Sequence, residues 1–427
     1  MNLPIKMAGA LACLATAAAF TAAGPTASAA GSGNALPVKH LTAKDAKFTE
    51  MGGASVPLSR ATTVDHWHGQ FTDPTNGQTY GYDMVGHDPA TNSSSTTPTD
   101  IYPLQITFSG SNGYALNGSD VVARTVASPV FRTGDYSTTA HSGDYQNGPG
   151  GGELSAGNTG VQYEDAIMRS QFDKVGSSYH VRLGTPTVHA PITLTVPSSK
   201  GIVAQSSQGA VLGLVDAAWF SGHISQLLGQ LKADPTHLPI FLTDNVMLYV
   251  SNLDNCCIIG YHGASVVWGQ GHGPTGGQGR QGVQTFAYAA YTTPGTFDDG
   301  QGGADPYVRD IHALSHEIAE WGDDPFVDNL VNPWLTPTAP QYGCTDILET
   351  GDPVVGIGFT MPGNTFDDAS PFADGYYHPE DEVFLPWFAR EDPNTTSQAT
   401  QSGSGGRYTF MGDLNPYPGF RAPATGC

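Results

Sequence analysis

Basic charge is scarce in this sequence. The chain of 427 residues carries 17 Lys and Arg against 39 Asp and Glu, for a formal net charge of −22, and only 13% of its residues are charged. No basic patch is present to neutralise phosphates, so no nucleic acid partner is expected. Long apolar runs are also missing beyond the N-terminus, so no membrane span is expected once a leader is removed. Cysteines number five, and none stands in the CxxC spacing of a structural zinc site. No Gly-x-Ser-x-Gly elbow occurs, which removes the commonest serine hydrolase signature. A pair of carboxylates for glycoside hydrolysis cannot be chosen among 39 acids by sequence alone.

What is present points outward from the cell. Lys6, the apolar and small residues Ala8 to Ala23, and Ala27-Ser28-Ala29 read as a secretory signal over residues 1–29. A surface poor in charge and rich in Ser, Thr, Gly and Asn suits an extracellular and acidic setting, because neutral polar groups keep their partners when carboxylates protonate. Cys13 falls within the signal. The remaining Cys256, Cys257, Cys344 and Cys427 suggest two disulfides. Adjacent cysteines rarely bridge each other. Cys256 and Cys257 are therefore expected to pair with Cys344 and Cys427, in either order.

Hydrophobic residues make up 39% of the chain, enough for a packed core. The length predicts one large domain or two intimate ones. Residues 30–60 read as a linker or pro-segment, and 61–200 as a β-rich region. Ile101 to Phe108 and Ile192 to Val196 alternate as strands. Thr91 to Pro98 reads as a loop and Tyr163 to Val175 as a helix. From residue 201 to 427 the pattern is that of an α/β (α+β) domain with a zincin-like core. A backing helix from Val215 to Leu231 precedes strands at Ile240–Val250, Cys257–His262 and Gln284–Tyr291. A Gly-rich loop spans Gly263 to Gly282. A second helix is predicted from Pro306, capped by Asp305, to Trp321 or Gly322.

That second helix carries His316-Glu317-Ile318-Ala319-Glu320. Residues four apart stack on one helix face, so His316 and Glu320 can grip one ion. Glu317 lies about 100° round the helix, close enough to reach a water on that ion. This is the HExxH metallopeptidase arrangement with Glu in place of the second His. Imidazole and carboxylate both bind zinc, and the metal lowers the pKa of its water so that Glu317 can act as general base. A third ligand must come from elsewhere. Glu349 is the first choice, with Asp324, Asp352, His312 and His378 as alternative ligands or supporting groups. One His with two carboxylates is a hard donor set, so Mn, Fe or Ca stand beside Zn as candidate cofactors.

The stretch Ser315-His-Glu-Ile-Ala-Glu-Trp321, then Asp324-Pro325, Trp334 and Leu348-Glu-Thr-Gly-Asp352, resembles the pattern of the EXORDIUM-like, phosphate-induced proteins and their bacterial relatives. Cys256-Cys-Ile-Ile-Gly-Tyr-His262 resembles a cysteine-bearing strand of the bacterial members. The resemblance covers roughly residues 200–390. It implies a secreted protein with a zincin-like core, and supports His316, Glu317 and Glu320 as its centre with Asp324, Glu349 and Asp352 as neighbours. The sequence departs from the pattern at Trp321-Gly322-Asp323. Two functions are expected to compete. One is a secreted metal-dependent peptidase acting on extracellular protein or peptide. The other is a non-catalytic extracellular protein, associated with cell-wall polysaccharide, on the same scaffold.

Overall fold

Three strands lie parallel at the centre of the molecule: Thr99–Phe108, Leu238–Asp244 and Gln281–Tyr291. The computed structural model describes residues 36–48, 57–136, 158–268, 281–337, 339, 343–366, 371–391, 408–410 and 427. Leu36–Cys427 forms one unit, and its main sheet draws strands from both sides of residue 200. The fold is mixed α/β, mostly sheet with few helices. The signal expected at residues 1–29, with Cys13, lies outside the described residues, as do residues 269–280 of the expected Gly-rich loop.

Among the described residues the main sheet has seven strands, and Gly260–Trp268 lies at one edge, antiparallel to Gln281–Tyr291. Parallel strands are covered on both faces, so they carry apolar residues at consecutive positions rather than at alternate ones. Leu238–Asp244 shows this: Ile240 and Leu242 join one core cluster and Phe241 the other. Small residues, Ala287 and Ala289, face the first cluster, and Phe286 and Tyr288 the second. The helix Ala217–Leu231 packs Phe220, Ile224 and Leu228 on the aromatic face. The motif helix His312–Asp323 packs Leu314, Ile318 and Ala319 on the alanine face. The sheet is thus a middle layer between two helices.

Several expected boundaries move. The predicted strand Ile240–Val250 is two, Leu238–Asp244 and Val246–Tyr249, in different sheets. Asn245 makes the break with φ of 49°, and its side chain donates to Thr293 Oγ1 at 2.6 Å and accepts from Thr293 N at 2.8 Å. Asn tolerates this left-handed backbone better than most residues. Cys257–His262 likewise divides into Cys256–Ile258 and Gly260–Trp268. Thr91–Pro98, expected as a loop, contains a strand at Ser94–Thr97 paired with His180–Leu183. The helix expected to Val175 ends at Gln171. Val215 belongs to a strand, and Asp216 caps the backing helix through Trp219 N at 2.8 Å.

The motif helix starts six residues later than predicted, at His312. Asp305 accepts from Tyr307 N and Val308 N at 2.8 Å each, but this makes a turn and not a helix start. Asp310 then takes φ of 44° and pairs with His378 at 2.6 Å, which interrupts any helix running through Pro306. All twelve residues of the helix are buried, so it is a core element.

The disulfides also differ from expectation. Cys256 bridges Cys257, and Cys344 bridges Cys427 across 83 residues of sequence. Cys256 and Cys257 are both buried in the second sheet, whose strands include Val211–Asp216 and Val246–Tyr249. Cys344 lies on a separate two-stranded ribbon with Leu330–Leu335. The cross-pairing expected from sequence would have to join these two places.

Candidate metal centre

Seating the motif helix on the alanine face of the sheet brings His316, Glu317 and Glu320 against the edge strand Gly260–Trp268. Two glycines make the approach feasible. A Cβ at Gly260 would overlap Glu317 Oε1, and one at Gly351 would overlap the imidazole of His316.

Among the described residues, two groups of three converge closely enough to hold one ion: His316, Glu320 and Asp352, and His262, Glu317 and Glu320. Glu320 belongs to both. Its Oε2 lies 3.0 Å from His316 Nε2 and 3.6 Å from His262 Nδ1. Its Oε1 accepts from Gly351 N and Asp352 N at 3.2 Å each, so the turn after Thr350 fixes the carboxylate. Asp352 Oδ1 lies 3.9 Å from His316 Nε2. Ligand atoms at zinc-like bond lengths of about 2.0–2.2 Å stand roughly 3.3 Å apart when tetrahedral, so these separations bracket a metal's coordination edge.

The two histidines are oriented from behind. His316 Nδ1 lies 2.9 Å from Glu380 Oε2. His262 Nε2 lies 3.0 Å from the carbonyl oxygen of Asp324, which can only accept, so that nitrogen carries the proton. Metal-binding imidazoles are commonly held in this way by a carboxylate or a backbone carbonyl. Burial drives the His262 pKa down to about 3, so the ring is neutral and its Nδ1 is a bare lone pair. That lone pair faces Glu317 Oε2 at 3.4 Å and Glu320 Oε2 at 3.6 Å. Lone pair against carboxylate is repulsive unless a proton or a cation lies between.

Glu317 is fully buried, and neither of its oxygens has a hydrogen-bond donor. Burial first, then the charges of Glu320, Asp352 and Glu380, raise its pKa well above the ordinary carboxylate range. The buried, unpaired atoms of His316 Nε2 and Glu317 suit a divalent cation.

The other sequence candidates are placed as follows. Glu349 is buried with Oε2 3.8 Å from His262 Nε2, and stands outside both groups. Asp324 turns its carboxylate to Asp328 N at 3.1 Å and Asn329 N at 3.0 Å; only its backbone carbonyl serves the site. His312 lies behind the centre, its Nε2 3.1 Å from Glu380 Oε2. His378 pairs with Asp310 and, at 3.1 Å, with Asp374, and joins neither group. Sequence reasoning missed His262 and Glu380 as site residues. Glu380 holds a pKa of about 7, raised by burial and lowered by His316. The signal for it was the acidic run Glu380-Asp381-Glu382 between Pro379 and the apolar Val383-Phe384-Leu385, where a solvated charge cluster is out of place. His262 had no spacing signal, because its position is set by strand pairing.

No protein-family model, curated protein or solved structure matches the chain.

Proposed function

We propose that this chain is a secreted, metal-dependent peptidase acting on extracellular protein or peptide. The observation that carries the reading is the convergence of His316 Nε2, Glu320 Oε2 and Asp352 Oδ1 beside an unpaired, buried Glu317. His316, Glu320 and Asp352 would hold the metal, with zinc the first choice and Mn, Fe or Ca compatible with the oxygen-rich set. Such an ion supplies Lewis acidity and lowers the pKa of water toward about 7. Glu317 acts as general base: it takes a proton from the attacking water and passes it to the leaving amine. His262 Nδ1, 3.4 Å from Glu317 Oε2, positions that carboxyl. Glu380 holds His316 through Nδ1, which fixes the tautomer that leaves Nε2 open.

A helix–sheet–helix core with an antiparallel edge strand beside the motif helix supports a zincin-like reading. The similarity to EXORDIUM-like proteins rests on residues 315–352 and the strand before His262. The direct test is hydrolysis of an unfolded protein by purified chain, with and without a chelator. Chelator-insensitive cleavage, or none in metal-loaded protein whose site has been opened, would defeat the reading.

One observation favours the second reading, a non-catalytic protein bound to the cell wall. His316 and Glu317 are both 0% exposed, so no substrate reaches them in this conformation. Retention on cell-wall polysaccharide by metal-free protein would favour it.

A further inference from the structure

The residue lying over His316 comes from far away in sequence. Phe48 stacks on the imidazole with ring centroids 3.3 Å apart and planes 12° apart. Phe48 is half-buried while His316 is fully buried, so the phenyl ring forms part of the layer between the imidazole and solvent. The segment leading to it is paired at both ends and turns through a short 3-10 helix, Ala43–Asp45, between them. Val38 and Lys39 pair with Gln205 and Ser206. Lys47 N donates to the Cys257 carbonyl at 2.8 Å, and Ile259 N donates to the Lys47 carbonyl at 3.0 Å. Lys47 therefore adds to the backbone just before the edge strand Gly260–Trp268, and Ala46 beside it is buried. Addition of an extended peptide to a sheet edge, with side chains entering alternate pockets, is a standard mode of peptide recognition.

We infer that residues 46–48 are a built-in competitor lying in the place of an extended peptide substrate, with Phe48 as its blocking residue. The substrate class that follows is an extended segment carrying a large apolar side chain over His316. The inference rests on the peptidase reading for the word substrate, but the occlusion itself does not.

The test uses the full chain, treated with EDTA and then with diethyl pyrocarbonate, and maps acylated histidines by mass spectrometry. Two variants are compared with the parent. Phe48→Ala removes the ring. Lys47→Pro removes the N–H donated to Cys257 and keeps the ring. His68, whose side chain is 66% exposed, is the internal control. His316 is expected to react at least tenfold faster in both variants, with His68 unchanged, and Phe48→Leu is expected to restore most of the protection. Equal His316 reactivity in parent, Phe48→Ala and Lys47→Pro would overturn the inference. Cleavage of unfolded protein is measured in parallel on metal-loaded chain. Faster acylation with no cleavage in any variant leaves the occlusion standing and defeats the peptidase reading. Equal cleavage by parent and Phe48→Ala defeats the inference and leaves that reading intact.

Discussion

His316 Nε2 lies 3.0 Å from Glu320 Oε2, yet this nitrogen makes no hydrogen bond. Two polar atoms that close, buried together and not bonded to each other, are arranged as neighbours on a common third atom. Two backbone N–H groups and a second carboxylate hold the other atoms. Gly351 N and Asp352 N hold Glu320 Oε1, and Glu380 holds His316 Nδ1. His316 Nε2 and Glu320 Oε2 then face each other.

From this follows a separation of metal binding from chemistry. Glu320→Ala removes the carboxylate shared by both groups and is expected to lower metal content to background. Glu317→Gln is expected to keep the metal and lose about 10²–10⁴-fold in cleavage, the usual worth of a general base. Metal content by mass spectrometry and hydrolysis of an unfolded protein are the two measurements. Full activity in Glu317→Gln would eliminate the assigned base.

The third ligand is a second test. Sequence order favoured Glu349, downstream of the helix. The structure groups Asp352 with His316 and Glu320, and leaves Glu349 against the far nitrogen of His262. Asp352→Ala is therefore expected to weaken metal affinity by tenfold or more, and Glu349→Ala by less. The reverse ranking in a metal titration would return Glu349 to the coordination sphere.

The motif itself was legible because helical spacing is local: His316 and Glu320 had to share a face wherever the helix lay. The helix's start was not legible. Asp305-Pro306 carries the expected capping chemistry, but Asp310 is held in a left-handed conformation by His378, 68 residues away. The strand Ile240–Val250 failed for a related reason. Its apolar residues are interrupted at Thr243-Asp244-Asn245, and the Thr293 contacts of Asn245 show that the chain changes sheet there. His262, Glu380 and Phe48 reach the site through strand pairing and loop packing, which leave no periodic trace. The disulfide pairing was not legible because the sequence does not show that Cys344 lies on a ribbon separate from the sheet of Cys256 and Cys257.

Gly351 offers a test of packing with no ligand lost. Its backbone, at φ −82° and ψ −35°, suits any residue. The obstacle to a larger side chain is the His316 ring, which a Cβ would overlap. Gly351→Ala is expected to displace the imidazole, costing about 1–3 kcal/mol of stability as an overpacking change and weakening metal affinity. Thermal unfolding with and without metal measures both. An unchanged affinity would mean that the Thr350–Asp352 turn moves without carrying the ligands with it.

The buried acids behind the motif helix set a pH dependence. Burial, opposed by hydrogen bonds from Gln171 and Thr350, raises Asp323 to about 7. Glu164, fully buried against Gly322 with no donor to either oxygen, is raised well above the ordinary range by burial and by the charges of Asp323 and Asp165. In the unfolded chain such carboxyls titrate near about 4. The native state therefore binds more protons between about pH 4 and about pH 7, and stability falls as pH rises through that window. A shift of about three units corresponds to roughly 4 kcal/mol for Asp323 as a ceiling. The thermal midpoint is expected to be higher at about pH 5 than at about pH 8. Asp323→Asn, which keeps an oxygen for Gln171, is expected to flatten that slope and to gain stability at about pH 8. Glu164→Gln is expected to act in the same direction. Parallel pH profiles for parent and both variants would mean that these carboxyls ionise freely in the native state, and that solvent reaches the space between Glu164 and Asp323.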